Sequence, residues 1–206
     1  MKLREIKKEI LHHIPFTLSA TFLAILIVFG VSWLYGPFSH DNLKSFFEIA
    51  HPLHVFVSAI TSTAIFYKHR KSILSAIGVG ALSAILIGSL SDIIFPYVGG
   101  VIFGLKTVFE LELIEKPVII IGVALFGCAI GIATRVSEIP HFLHIGISIT
   151  ASLLYLFAFG SVLTTFGIIA SLIIVFFAVL IPCCISDIIF PMLFIKDLVH
   201  CCNHKH

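Results

Sequence analysis

Charge is what this chain lacks. Only 12% of its 206 residues are Asp, Glu, Lys or Arg, against about 25% in an average soluble domain. That is too few to clothe a water-exposed surface, and a mean hydropathy of +1.13 with 59% apolar residues excludes an ordinary soluble domain. Methionine is scarce beside twenty Phe, which points the same way. The small net charge of +2 argues against nucleic acid as a partner. No HExxH or GxSxG pattern is present, so the two signatures of zinc peptidases and serine hydrolases are missing. The composition is that of an integral membrane protein. Its one surplus is histidine, eleven residues against thirteen Lys and Arg.

Six apolar stretches have the length needed to cross about 30 Å of hydrocarbon: roughly 14–35, 49–67, 73–95, 117–134, 141–160 and 162–190. The first has basic residues before it but no small-residue cleavage site, and reads as an uncleaved anchor. The separators are short and polar, and only Gly160-Ser161 divides the last two spans. With the N-terminus in the cytoplasm, inside segments hold ten Lys and Arg and outside segments hold only Lys44, Lys106 and Lys116. This bias puts the chain in the cell membrane with both termini cytoplasmic. The five Cys (128, 183, 184, 201 and 202) then lie in the membrane or on the cytoplasmic side, where an odd number implies reduced thiols and no disulfide framework.

The chain repeats itself. Glu48-Ile49-Ala50-His51-Pro52-Leu53-His54 matches Glu138-Ile139-Pro140-His141-Phe142-Leu143-His144, and Ser58 and Ser62 fall over Ser148 and Ser152 at the same offset of ninety. Ser91-Asp92-Ile93-Ile94-Phe95-Pro96 recurs unchanged as Ser186-Asp187-Ile188-Ile189-Phe190-Pro191. The expected organisation is an all-α polytopic protein. It comprises an N-terminal segment (1–13), a first three-helix repeat (14–109), a second (110–199) and a His/Cys-rich tail (200–206). Three spans per unit is odd, so the second copy enters the membrane from the opposite side. Such inverted repeats are the signature of many secondary transporters, whose substrate sites lie where the repeats meet.

At about 100° per residue, His51, His54, Ser58 and Ser62 fall with Glu48 in a stripe about 120° wide. The second copy repeats it with Glu138, His141, His144, Ser148 and Ser152. Pro52 and Pro140 are expected near helix starts, where a missing N–H does little harm. Ionisable groups in hydrocarbon must face protein or a water-filled cavity. Paired imidazoles with carboxylates nearby suit a divalent ion of the Mn, Fe, Co, Ni or Zn kind. The bland alternative is hydrogen bonding between helices. Each Ser-Asp-Ile-Ile-Phe-Pro copy lies in an apolar run of over thirty residues, about 50 Å if straight. Helix breaks are therefore expected near Pro96 and Pro191, helped in the first copy by Gly99-Gly100. These breaks would bring Asp92 and Asp187 to a cavity.

The candidate metal ligands are thus His51, His54, Asp92, His141, His144 and Asp187, with Glu48 and Glu138 as ligands or proton-coupling groups. Ser58, Ser62, Ser91, Ser148, Ser152 and Ser186 are candidates to orient them. By the topology, His51, His54 and Asp92 can meet in the outer half and His141, His144 and Asp187 in the inner half, as two sites in series or one shared site. Cys183, Cys184, His200, Cys201, Cys202, His204 and His206 form a possible accessory metal set.

The phrases HHIPF (12–16), HPLHVFVSAITSTAIF (51–66) and SDIIFPYVGG (91–100) resemble those of prokaryotic membrane proteins described as manganese or heavy-metal exporters. Members of that family are usually longer, with about ten spans. The resemblance implies divalent-metal transport in the efflux direction. The expectation is a metal transporter working as a homodimer in the bilayer, with the metal as substrate and no organic cofactor. A His-rich membrane metalloenzyme (di-iron or haem oxidoreductase) and a structural membrane protein stand as the alternatives.

Overall fold

The computed structural model describes residues 14–15, 17–26, 40–134 and 141–186, the side chains of 141, 142 and 183–186 excepted. Among the described residues the chain is all-helical, with no strand. Its elements are α1 (Thr17–Leu26), α2 (His40–His69), α3 (Ile73–Ser89), a π-helical turn (Leu90–Ile94), α4 (Phe95–Ile102), α5 (Glu112–Glu115), α6 (Pro117–Thr134), α7 (His141–Phe159) and α8 (Thr165–Ser186). Four helical stretches are long and apolar enough to cross a membrane: His40–His69, Ile73–Ile102, Pro117–Thr134 and Thr165–Pro182. Two shorter apolar helices, Thr17–Leu26 and Leu143–Phe159, stand beside them. The outward side chains are large and apolar, Leu74, Val118 and Leu163 among the most exposed. A surface so apolar suits lipid and would drive association in water.

α2 is the central element, packing on α3, α6 and α7. It begins nine residues before the predicted second span, at His40, where a loop was expected. Its first turns have burial of their own to gain: Leu43 and Phe47 pack with Ile93, Leu154, Tyr155 and Phe159. Pro52 therefore lies inside the helix and not at its start, and the Glu48 carbonyl has no N–H to receive four residues on.

The expected break at Pro96 is also displaced. The helix runs on from Ile73 to Ile102, and its irregularity is the π turn one step earlier, where the Phe95 N–H reaches the Leu90 carbonyl. Pro96 cannot donate to the Asp92 carbonyl, and the wider turn accommodates that missing bond. Gly99 and Gly100 do not loosen the helix. A Cβ on Gly99 would strike Ile174, and one on Gly100 would strike Thr107, so both mark close packing. Pro191 lies outside the described residues.

Residues 103–116 return across one end of the bundle. Gly104 and Lys106 take positive φ there. The Val108 N–H bonds to the Phe159 carbonyl (2.8 Å), and the Ser161 N–H to the Leu105 carbonyl (2.6 Å). The start of α2, the end of α7 and this segment are thereby gathered at one end, here the loop end. The segment between α7 and α8 is residues 160–164, slightly longer than the predicted Gly160-Ser161 divider.

Candidate functional site

The predicted polar stripe of α2 faces inward: His51, His54, Ser58 and Ser62 are all buried. At 1.5 Å per residue, His54 lies about 21 Å along α2 from His40, and His144 about 22 Å back along α7 from Phe159. His54, midway along α2, meets His144 in the first turn of α7. The partner of His54 on its other side is Asp92, fully buried in the π turn.

Asp92 is the hub. Its Oδ2 lies 3.0 Å from His51 Nδ1 and 2.7 Å from His54 Nδ1. Its Oδ1 lies 2.7 Å from the Ser91 hydroxyl and 3.0 Å from that of Ser148. An ionised carboxylate only accepts, and has about four lone-pair positions. Four partners fill them, so both imidazoles present Nδ1–H to it. Ser152 donates to the Ser148 carbonyl at 2.8 Å and lies 3.0 Å from the Ser91 carbonyl, tying α7 to the π turn. Phe47 stacks on the His51 ring at 5.7 Å.

That tautomer decides which atoms remain for other chemistry. With Nδ1 committed to Asp92, the Nε2 lone pairs of His51 and His54 point away from it. This is the arrangement by which a carboxylate orients a metal-binding histidine. His54 Nε2 faces His144 Nε2 at 3.0 Å, and Ser58 Oγ lies 2.8 Å from the same His144 nitrogen. Two ring nitrogens at that separation share one proton between them, or both lone pairs turn to a common cation. His51 Nε2 is buried with no hydrogen-bond partner.

Four of the six predicted ligands (His51, His54, Asp92 and His144) are thus brought into one hydrogen-bonded network, joining both repeats. Among the described residues, however, no group of three or more His, Cys, Asp or Glu is placed to hold one metal ion. The side chain of His141 and the whole of Asp187 lie outside the described residues, as do Glu138, the side chains of Ser186, Cys183 and Cys184, and His200, Cys201, Cys202, His204 and His206. Ser62 sits away from the hub, 3.5 Å from Ser83. Glu48 does not join the network. It pairs with Lys116 at 2.6 Å, partly exposed, while Lys44 one turn earlier pairs with Glu110 at 2.7 Å. Both pairs clip residues 110–116 onto α2.

No family model, curated protein or solved structure matches this chain.

Sequence reasoning missed Glu112. It is only 4% exposed, and neither carboxylate oxygen has a hydrogen-bond partner. Burial pushes its carboxyl up to about 6, against the pull of nearby His51 and Lys116.

Proposed function

We propose that this chain is a membrane transporter of a divalent transition-metal cation of the Mn, Fe, Co, Ni or Zn kind. It works by alternating access between two three-helix inverted repeats, with both termini cytoplasmic, in the efflux direction and as a homodimer. The observation that carries the proposal is the 3.0 Å approach of His54 Nε2 to His144 Nε2. These residues are ninety apart, matched in the duplication, and both buried, with His54 held against Asp92. Sites where repeats meet are where inverted-repeat transporters hold their cargo. Imidazoles oriented through Nδ1 by a carboxylate offer Nε2 to borderline metals. In the hydrogen-bonded arrangement His54 and His144 hold each other. Cargo would replace the shared proton, which gives metal and proton the competition that coupling requires.

The test is uptake of Mn2+ or Co2+ into proteoliposomes carrying an entrapped metal-sensitive dye. His54→Ala and His144→Ala should each lower the initial rate at least tenfold. Parent-like rates in both variants would overturn the assignment. The complete set of partners around Asp92 favours a second reading, a polar core that only holds α2, the π turn and α7 together. On that reading the same variants lower thermal stability, and no metal raises that of the parent.

A further inference from the structure

Along α2, Phe47, His51 and Val55 recur at intervals of four and lie one above another. Leu111 packs in the cluster that contains Phe47, and Leu113 packs in the cluster that contains Val55. The residue between these two leucines is carried into the bundle on the side of Phe47 and Val55, and His51 between them is near enough to act electrostatically on its carboxyl. That residue is Glu112, at the start of α5, and its backbone carbonyl accepts the Lys116 N–H at 2.7 Å. The Glu48–Lys116 ion pair fastens the far end of the same turn to α2. Two buried groups from separate segments are thus left with unused acceptor atoms on the same side of the network: Nε2 of His51, and both carboxylate oxygens of Glu112.

We infer that His51 Nε2 and the Glu112 carboxylate form a second cation subsite, on the loop-end side of the His54–His144 pair, that takes a divalent metal on its way between that pair and the loop end. The inference rests on the transport reading and extends it. One imidazole nitrogen and one carboxylate are a borderline-to-hard donor pair, suited to a first-row divalent ion that keeps part of its water. A buried, unpaired carboxylate is costly on its own. A cation held between it and the imidazole offsets that cost. Two successive sites of moderate strength also let an ion leave the first without a deep trap.

The experiment is a Co2+ titration of the full chain in detergent, followed by visible absorption and calorimetry. The variants are Glu112→Gln, His144→Ala and, as a control for general electrostatics, Glu115→Gln, an exposed carboxylate three residues on. The parent should bind two Co2+ per chain. Glu112→Gln should lose one of them, its affinity falling at least tenfold, and hold the other within threefold. His144→Ala should show the reverse, and Glu115→Gln should match the parent. Thermal melts of each variant establish that it is folded. The subsite is overturned if Glu112→Gln binds Co2+ with the parent's stoichiometry and affinity, or if Glu115→Gln loses the same ion. In either case a loss of flux in His54→Ala and His144→Ala leaves the transport reading standing. A parent that binds no Co2+ overturns both.

Discussion

α2 presents two faces to its neighbours, and they are built on opposite principles. Toward α3 and α6 it is close and mainly apolar, the Ser62–Ser83 contact apart. Val55 and Ala59 pack with Ala84, Ile120, Ala124 and Cys128, and Gly127 and Gly131 lie against the carbonyls of Phe56 and Ile60. Toward the π turn and α7 it is polar, with His51, His54 and Ser58 in hydrogen-bond reach of Asp92 or His144. Lipid tails are as apolar as leucine, so helices in a bilayer associate through close packing and polar contacts. The small-residue face supplies that association without His, Asp or Glu side chains. It leaves the polar face free to be specialised, and the contrast separates residues that hold the bundle from residues that equip it.

The largest break in that contrast is predicted at Gly127. A Cβ there would lie 2.5 Å from the Phe56 carbonyl oxygen, against backbone that cannot yield. Gly127→Leu should therefore cost more than about 3 kcal/mol, and the purified protein should be aggregated by size-exclusion chromatography. A monodisperse, parent-like Gly127→Leu protein would remove the small-residue face from its structural role. Next comes Asp92→Ala, which strips four partners of their acceptor and leaves two imidazole donors buried. A loss of about 3 kcal/mol is expected, read by reversible denaturation in mixed micelles, and the protein should remain folded.

The smallest effect concerns Glu112. Its carboxyl is raised by burial from 4.5 to about 6, so the folded state binds the proton more tightly than the unfolded chain. Its stabilising contribution is fully present below about pH 4.5 and is lost as pH rises through about 6. The size is about 2 kcal/mol. Thermal melts between pH 4 and 7 should show this decline in the parent and a flat profile in Glu112→Gln. A decline of equal size in both proteins would assign it to other groups.

Much of this was legible in the residues, for reasons that differ by element. The stripe on α2 was readable because a 3.6-residue period survives any change in where the helix begins. The meeting of His54 and His144 was not readable, because the repeat allowed two sites in series as well as one shared site, and only the packing of α7 on α2 chooses between them. The start of α2 at His40 was not readable, because its first turns are buried by residues 93 and 154–159, far away in the chain. The π turn was hidden for a related cause. Proline announces a missing N–H, but whether the helix breaks or widens depends on what packs around it. Glu112 was hidden because its burial comes from the return of residues 103–116 over the bundle, and a four-residue helix has too little periodicity to reveal it.

The π turn also bears on how the chain tolerates change in length. It holds one residue more than a regular helix would need over the same rise, so everything beyond it is rotated by about 100°. Deleting one residue from 90–94 would leave composition, hydropathy and span length almost as they are. It would swing Gly99 and Gly100 away from Ile174 and Thr107, and take the carboxylate out of reach of both imidazoles. In this segment the reading frame of the helix, and not its greasiness, carries the information.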